Sequence, residues 1–572
     1  MRYPLLAMGL ALGGCATGPT PVPEQPRPEV AVVRALDPGA VLVTECTGLP
    51  DELPWRAAAV LWHEALRQSV QFVVLEDAGG APGRDRLRLS ADPTSQRLAA
   101  LLVDAHGQTV PIGGDTAADG DLAAAIDRLA RTAREALGEV TTTPVPTAAC
   151  VGRDPSFVDA AADAHRLLHD GAIESAFRLF TRCRARDGGS PYVLDGLAEA
   201  ELLRGHPGIA ERIAQEALGF STRLAPHRQH RIARTLLLAR ASQRPENAPE
   251  RDRQLRDLGR VFHRERPHDP EALLTMGLAE NFLGEFAAAR PHLQAFVALE
   301  PDHPLGHYHL GWTQLALGEH AAAVAEFETA ALRLPPASLI VPRSIALYGA
   351  GQHERLQQVL ADLATELLER DSLQLHDLRR MQAAHALLRG DDAAAVELLR
   401  QDFTWLVSHP SALDERVGEF AEAGVVLVRL GGARALPPIL AALQQQRPGT
   451  ALADAISFLS GVVTVAETNQ RAEAVERQLS RGGESVFALL LQALCHERRG
   501  ELGDQYTALA RAARMSDSPL TKMLLARSLT SMGRQQESDQ LLAALRSEML
   551  RIRLRQRAQH PLLGPELAYA FR

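Results

Sequence analysis

Residues 270–303 (PEALLTMGLAENFLGEFAAARPHLQAFVALEPDH) and 304–337 (PLGHYHLGWTQLALGEHAAAVAEFETAALRLPPA) are two consecutive stretches that share one pattern. The residues that recur at the same place in both stretches are Gly277 and Gly311, Ala289 and Ala323, and Pro301 and Pro335. Each stretch has room for two helices joined by a short glycine turn. Because one helix pair can bury its apolar face only against neighbouring pairs, the pattern predicts a stack of pairs.

A period of about 34 residues, with a small residue in the first helix, alanine in the second and proline at the end, is typical of tetratricopeptide (TPR) repeats. On these residues the chain resembles TPR proteins. The resemblance implies a mainly α fold, a TPR-like helical solenoid over 154–560 with about ten helix pairs and a C-terminal tail at 561–572. Glycines that would end first helices recur along this region, at Gly171, Gly205, Gly284, Gly318, Gly390, Gly500 and Gly533.

The concave side of TPR solenoids is the family's usual site for a protein or peptide partner. By analogy with the repeat positions, the residues facing this groove would be Asn281 and Phe282 in one repeat and Tyr308 and Trp312 in the next. Aromatic side chains there suit contacts with a partner. The alternative is that Tyr308 and Trp312 pack against an adjacent helix.

Residues 30–140 have a different pattern, which predicts a small α/β domain. Apolar or alternating runs at 41–45, 72–75, 86–89 and 98–103 indicate four strands, and helices are expected from Pro54 and Asp121. Asp115 falls in a glycine-rich turn before Asp121, which is placed to cap its helix. The order of elements and the stretch 102–108 (LVDAHGQ) resemble the TolB amino-terminal domain. This resemblance implies a non-catalytic binding or assembly module, followed by a linker at 141–153.

The amino terminus has the pattern of a lipoprotein signal at 1–14. A basic start and a short apolar run end in Leu12-Gly13-Gly14-Cys15, and the run is too short to span a membrane. These residues resemble the lipobox of bacterial lipoproteins, which implies a lipid anchor on Cys15. Residues 15–29 form a proline-rich linker, and Ala16 favours the outer membrane, facing the periplasm, as the location.

Four further cysteines are compatible with an oxidising compartment. Cys46 ends a predicted strand and Cys150 lies in the linker after the same domain, so a Cys46–Cys150 disulfide is one possibility. A pair of free thiols is the other. Cys183 and Cys495 fall in apolar helices, where buried free thiols are expected.

Charge and motifs exclude several function classes. A net charge of −9 argues against a nucleic-acid partner. The sequence has no known nucleophile motif, metal-ligand spacing or phosphate-binding loop, so we expect no enzyme activity, no cofactor and no metal site. His63-Glu64 begins like the HExxH motif, but Arg67 stands where the second histidine is needed. The mixed charges of 223–268 favour a solvated face over an anion site.

Two hypotheses for function remain. The first is an envelope scaffold or adaptor without enzyme activity, anchored to the membrane by its lipid and holding a protein or peptide in the TPR groove. The second is a sensor that binds a peptide or glycan in the α/β domain. The arginine-rich final helix either caps the last repeat or lies on an anionic membrane surface.

Overall fold

In a computed structural model, the described residues run from 36 to 556. Gaps in the description fall at 38–39, 48–52, 70, 77–83, 93–96, 117–120, 140–144, 153, 244–247, 335, 369–372, 410–416, 446–449, 468–485 and 516–518. Cys15, the signal segment, the proline-rich linker and the C-terminal tail lie outside the described residues.

The α/β domain is built on a five-stranded sheet with the order β2-β1-β3-β4-β5. Its strands are β1 (Val41–Thr47), β2 (Val73–Glu76), β3 (Asp85–Asp92), β4 (Arg97–Val103) and β5 (Thr109–Thr116). β1 is parallel to β2 and β3, and β3, β4 and β5 are antiparallel to one another in turn. The helices of the domain are α1 (Leu53–Leu66), α2 (Leu122–Ala136) and the short α3 (Thr147–Cys150).

The fifth strand corrects the sequence analysis, which placed Asp115 in a turn. The composition of β5 does not predict a strand, because proline and glycine are rare inside strands and β5 contains Pro111, Gly113 and Gly114. They are tolerated here since β5 is the edge of the sheet and the ladder with β4 is irregular beside Pro111. Asp121 caps α2 as predicted, accepting a hydrogen bond from the Ala124 amide at 3.1 Å.

The remaining described helices form a TPR-like solenoid. The first half comprises α4 (Pro155–His169), α5 (Ile173–Arg186), α6 (Pro191–Leu203), α7 (Pro207–Leu218), α8 (Pro226–Gln243), α9 (Ala248–Glu265), α10 (Pro270–Leu283), α11 (Phe286–Leu299), α12 (Pro304–Ala316) and α13 (His320–Ala331). The second half comprises α14 (Pro336–Gly349), α15 (His353–Leu368), α16 (Leu373–Leu388), α17 (Asp392–Ser408), α18 (Val417–Arg429), α19 (Leu436–Gln445), α20 (Thr450–Glu467), α21 (Val486–Arg499), α22 (Leu502–Met515), α23 (Pro519–Ser531) and α24 (Gln535–Gln556). Within the described ranges consecutive helices pair seven times from α4–α5 to α16–α17 and again as α21–α22 and α23–α24, whereas α18 and α19 both pack on α20.

Local sequence fixes where the helices start and stop. First helices begin with proline at the first or second position, as in α6, α10 and α12, where a missing amide costs no helical hydrogen bond. Ser190 and Asp269 cap α6 and α10 through their side chains. Gly284 ends α10 with φ of 77°, the left-handed conformation that glycine adopts without steric cost.

The hydrophobic interior of the described chain falls mainly into two large clusters, and their boundary is not the predicted linker. The N-terminal core runs from Leu36 through the sheet and continues into the repeats as far as Ile232 in α8. The C-terminal core runs from Leu255 in α9 to Leu545 in α24. The α/β domain therefore shares one core with the first repeats, and α1 packs directly on α4.

None of the helices within the described ranges is both long enough and apolar enough to span a bilayer.

Candidate functional site: the inner surface of the first repeats

The first helices of successive repeats lie side by side along the inner surface of the solenoid. Glycines allow first helices to pack closely on the second helix of their own repeat: a Cβ on Gly277 would lie 2.5 Å from Leu293 Cγ of α11, and one on Gly311 would lie 2.7 Å from Phe327 Cε1 of α13. Because real side chains do not approach so closely, glycine is needed at both positions. The repeated small residue found in the sequence thus has a packing role.

Three of the four predicted groove residues are buried and offer no contact surface. Asn281 is fully buried, Phe282 and Trp312 are 4% and 1% exposed, and Tyr308 is half-buried. Trp312 packs edge-on against Tyr308 and Phe327, with ring centroids 6.4 and 6.3 Å apart. Tyr308 and Trp312 therefore pack against an adjacent helix, which was the alternative interpretation of the sequence.

Asn281 has a structural role that joins two repeats. Its side-chain amide donates to the carbonyl of His309 at 3.1 Å, and its oxygen accepts from the Thr313 hydroxyl at 2.8 Å. Both acceptor and donor lie on α12, whereas Asn281 lies on α10. These buried hydrogen bonds fix the stacking of one repeat on the next, because each group would be unsatisfied without its partner.

Leucines form the floor of the inner surface where α6, α8, α10 and α12 meet. This patch, called the leucine floor below, comprises Leu202, Leu203, Leu238, Leu274, Leu278 and Leu305. Leu274 and Leu278 are only 3% and 2% exposed, although an open groove would leave them in solvent. Beside His309 the floor retains a cavity of about 20 Å³, which holds no more than a water molecule.

The last described helix packs on three first helices that contribute to this region. Besides its neighbour α23, α24 packs against α8, α10 and α12, which lie far from it in the sequence. Leu545 of α24 is buried and belongs to the same core as Leu274 and Leu278. α24 therefore contacts first helices of three earlier repeats.

A buried row of ion pairs borders the leucine floor and joins the α/β domain to the repeats. Three arginines of α8 at helical spacing, Arg228, Arg231 and Arg234, alternate with acids from three other helices, Glu64 of α1, Asp195 and Glu199 of α6, and Glu271 of α10. This set is called the ion ladder below. Arg228 donates to Asp195 at 2.7 Å and to Glu64 at 3.2 Å, and Arg231 lies 3.0 Å from Glu199.

The ladder corrects the predicted solvated face at 223–268. Arg228 and Arg234 are 4% and 5% exposed, and Asp195 is completely buried. A signal was present in the sequence: Asp195 stands in an otherwise apolar stretch of α6 (PYVLDGL). An acid in such a place must find a buried cation, because an unpaired buried charge is very costly.

Burial and pairing set the charge states in this region. Burial alone would raise the pKa of Glu64, but Arg228 and His227 outweigh it and hold that pKa well below its usual range. Burial lowers the pKa of His227 to about 3 and that of His230 to about 3, so both are neutral at pH 7. Burial raises the pKa of Asp195 despite the nearby Arg231 and Arg228. The two histidines lack the near-neutral pKa that general acid–base catalysis uses.

A third group of contacts closes the first turn of the superhelix. The turn after α4 meets the loop after α13: Arg333 donates to Asp170 at 2.8 Å, and the rings of His169 and His303 lie 4.9 Å apart. A Cβ on Gly171 would overlap the carbonyl oxygen of Arg333. We call this contact the clasp. It brings the first repeat against the fourth and fifth.

The α/β domain is also held by the loop between α9 and α10. Arg266 donates to the carbonyls of Arg67 and Gln68 at 3.1 and 2.9 Å, and so satisfies the C-terminal end of α1. Between this loop and β2 lies a cavity of about 70 Å³, lined by polar and apolar side chains, among them Ser69, Gln71 and His268.

The predicted Cys46–Cys150 disulfide is not formed, since Cys150 is a buried free thiol. Burial raises its pKa to about 12, and a thiol that stays protonated is unreactive towards oxidation. Cys183 is a buried free thiol, as expected, and Cys495 is buried as well.

Among the described residues, one cluster outside the inner surface has metal-ligating groups within reach of each other, namely His496, Glu501 and Asp504. Glu501 already accepts a hydrogen bond from His496 at 2.7 Å and lies 3.2 Å from Arg499. The Arg499 charge opposes a cation at this point, so the contacts are those of a helix turn.

Comparison with known proteins finds only distant likenesses to solved structures. No family profile matches the chain, and no curated protein matches it. Similar solved structures include a thermophilic TPR protein from Thermus thermophilus, with 22% identity over 34% of this chain and 99% of that one, at a TM-score of 0.28. A TPR protein from Parabacteroides merdae has 15% identity over 45% of this chain and 96% of that one, at 0.26. Human IFIT1, as a dimer with PPP-AAAA, has 14% identity over 68% of this chain and 89% of that one, at 0.33.

These superpositions are poor, so the assignment rests on the chain's own helix pairs, their period and their glycine turns. Together they define a TPR-like solenoid fused to an α/β domain.

Proposed function

We propose that this protein is a scaffold or adaptor of the bacterial envelope, without enzyme activity, attached to a membrane through a lipid on Cys15. The observation that carries the proposal is the rigid connection of the α/β domain to the repeats. One core, the ion ladder and Arg266 join the two parts. A scaffold must hold its binding surfaces in fixed positions, and such a connection does so.

The lipid anchor is supported by the lipobox and the proline-rich spacer, which would hold the folded part away from the bilayer. The location we propose is the outer membrane, facing the periplasm. Partners are proteins or peptides, and the net charge of −9 disfavours nucleic acid.

A membrane-attachment experiment tests the anchor. In the native host we expect the wild-type protein in the membrane fraction and labelled by a fatty-acid analogue. The Cys15→Ser variant should lose both the label and the membrane association, whereas a Cys183→Ser variant, altered at a thiol far from the lipobox, should keep them. Equal distribution of the Cys15→Ser and wild-type proteins would reject the anchor.

In-cell crosslinking followed by mass spectrometry tests the scaffold role. We expect the intact protein to be recovered with a small, reproducible set of envelope proteins. Recovery of no protein beyond those found with an unrelated lipoprotein would reject the role.

The sensor hypothesis receives less support. The cavity beside β2 measures about 70 Å³, whereas sites for drug-sized ligands measure roughly 300–1,000 Å³. A peptide or glycan would need this region to open. A thermal-shift screen of the full chain against peptides and glycan fragments checks the hypothesis, and we expect no shift.

A further inference from the structure

A groove of about 570 Å³ lies beside α5, the second helix of the first repeat. The cavities beside β2 and in the leucine floor measure only about 70 and 20 Å³. Sites that take a ligand usually measure roughly 300–1,000 Å³, so this groove has the necessary size. Its lining comes from Leu167 of α4 and from six residues of α5 between Ser175 and Arg182. We call it the α5 groove.

The base of the α5 groove is apolar and held in place. Leu167, Phe177 and Leu179 are half-buried, because they pack against the N-terminal core and also line the groove. The Arg204 guanidinium lies over the Phe177 ring at 3.7 Å and pairs with Glu174 at 2.8 Å, which fixes the ring. Side chains that are already fixed lose little conformational freedom when a ligand binds.

The positive charge of α5 is not balanced beside this groove. The helix contains four arginines, and its one acid, Glu174, is already paired. Arg184 and Arg186 pair with acids outside the helix at 2.7 Å each. Arg178 and Arg182 are exposed, line the groove and make no ion pair with any residue in the part of the chain that the structure describes. An apolar base and two unmatched cations are therefore found at one place.

The next repeat shows that this arrangement is not required by the fold. Thirty-four residues further along the chain, Arg212 replaces Arg178 and Glu216 replaces Arg182. In the second repeat an arginine and an acid stand one helical turn apart, an arrangement that stabilises a helix. Two like charges at this spacing destabilise a helix slightly, unless an anion pairs with both. A local cost of this kind is expected at functional positions.

We propose that the α5 groove binds an acidic segment of a partner protein. A leucine or phenylalanine side chain of the partner enters the groove, and carboxylates beside it pair with Arg178 and Arg182. The proposal rests on the proposed scaffold function and specifies the chemistry of its partner. The apolar side chain supplies most of the buried contact, and the two arginines select the sign of the charge around it.

The spacing of the two arginines limits the partner further. Residues four apart on a helix are separated by about 6 Å along its axis. Carboxylates at a similar distance occur at alternate residues of a strand, about 6.6 Å apart, or at residues four apart on a helix. We therefore expect partner segments with acids at one of these two spacings.

Selection from a phage-displayed library of random peptides tests the proposal on the full-length protein. We expect the selected peptides to be rich in aspartate and glutamate around a leucine or phenylalanine. Their binding should weaken as ionic strength rises, because the two arginines are exposed to solvent. Selected peptides without an excess of acids, or no enrichment at all, would overturn the proposal.

Fluorescence anisotropy with the tightest selected peptide tests the role of the arginines. The Arg178→Glu, Arg182→Glu double variant should bind the peptide ~10-fold or more weakly, since like charges then face each other. Arg212→Glu is the matched control, because it makes the same change at the equivalent exposed position of the second repeat and should leave the affinity unchanged. A peptide whose acids are replaced by arginine should prefer the double variant to the wild type. Equal affinity of the wild type and the double variant for the selected peptide contradicts the proposal.

Filling the groove tests the apolar contact. Ser175→Trp places a large side chain into the groove from an exposed position and should abolish peptide binding. Ile209→Trp, at the equivalent exposed position of the second repeat, should bind the peptide as the wild type does. Because both substitutions are at exposed positions, both proteins should keep the wild-type unfolding temperature. Undiminished binding to Ser175→Trp would show that the peptide binds elsewhere.

Phosphatidylglycerol vesicles test whether the two arginines bind a lipid surface instead. The Cys15→Ser protein is used, so that no lipid on Cys15 contributes, with the selected peptide as competitor. We expect no vesicle binding that depends on Arg178 and Arg182. Vesicle binding that needs both arginines and resists the peptide would reject a protein partner at this site. Envelope partners crosslinked elsewhere on the chain would preserve the scaffold role in that case, so the two failures are distinguishable.

Discussion

The two cores of the molecule are held together by different means. The N-terminal core includes the sheet, and its helices are joined by the ion ladder and by neutral buried histidines. In the C-terminal core, helices meet mainly through leucine, alanine and phenylalanine, with isolated buried links such as those from Asn281 to Thr313 and from His376 to Asp402 in place of a continuous ladder.

This difference shows where two parts of the molecule must be held in one specific relative orientation, namely where the α/β domain meets the repeats. Apolar repeats can stack on one another by shape alone, but an α/β domain has no repeated surface that matches a helix pair. Buried charges can fix such a joint, because removing one partner leaves the other unpaired at high cost. The same choice makes the N-terminal core more sensitive to point changes and to acid.

The largest effect is expected from removing the centre of the ion ladder. Arg228→Ala leaves Glu64 and Asp195 buried without their shared cation, which should cost about 3–5 kcal/mol of stability. We expect urea unfolding to show early loss of the N-terminal core. The control is Arg186→Ala, whose pair with Asp154 is 2.7 Å long but half exposed and should cost at most about 1 kcal/mol. Equal costs would mean that the two cores are not held differently.

The next effect comes from the clasp. Gly171→Ala should cost about 2–4 kcal/mol, because alanine is strained at a positive φ and its Cβ would meet the Arg333 carbonyl. Gly205→Ala is the matched control, since Gly205 has φ of 83° with open space around it and should show the backbone cost alone, about 1–2 kcal/mol. Gly171→Ala should lower the unfolding temperature more than Gly205→Ala does. Identical unfolding temperatures would show that the clasp adds no stability.

Acidification should then weaken the N-terminal core first. His227 and His230 of α8 have folded pKa values of about 3, below the unfolded value of 6.5, so the unfolded chain takes up protons first as pH falls. Stability is therefore present above pH 6.5 and is lost between pH 6.5 and about 3.

Two histidines oppose this trend. Hydrogen bonding to Glu280 raises the pKa of His292, and the pKa of His307 is also raised, because the bonds to Glu326 and Pro301 outweigh burial, so both favour the folded state at low pH. The net loss from pH 7.5 to 5.5 should be about 1–3 kcal/mol. Hydrogen exchange at both pH values should show faster opening of α4–α8 than of α15–α19. The reverse order would contradict the comparison.

The smallest effect lies in the C-terminal core. Thr313→Val removes the donor to Asn281 and should cost about 1 kcal/mol, measured by urea unfolding. Thr329→Val is the control, because the Thr329 hydroxyl is exposed and bonds only to its own helix at 3.2 Å, and it should be neutral. A loss of more than about 3 kcal/mol for Thr313→Val would show that this core too depends on polar links.

The repeat region could be predicted in most respects because its pattern is local. Period, glycine turns and proline starts each depend on a few neighbouring residues, so Gly277, Gly284 and Pro304 were informative in the sequence. β5 was missed because its strand character comes from pairing with β4. Its own composition argues against a strand.

The candidate site was predicted poorly. Asn281, Phe282 and Trp312 were placed on a groove by repeat position, yet contacts with other helices bury them. Arg228 and Glu64 are separated by more than 160 residues, and no periodicity connects them. Contacts between α24 and α10 depend on the curvature of the whole superhelix.

The sequence by itself determined the helix pairs, their period, the small α/β domain in front of them and the pattern of a lipid anchor. These features follow from the spacing of apolar, glycine and proline residues along short stretches of chain. Only the tertiary structure decided which charges became buried partners, where the first turn closes and which earlier helices α24 contacts. Those outcomes depend on the accumulated rotation of many repeats, and small angles between neighbours sum to large displacements between distant ones.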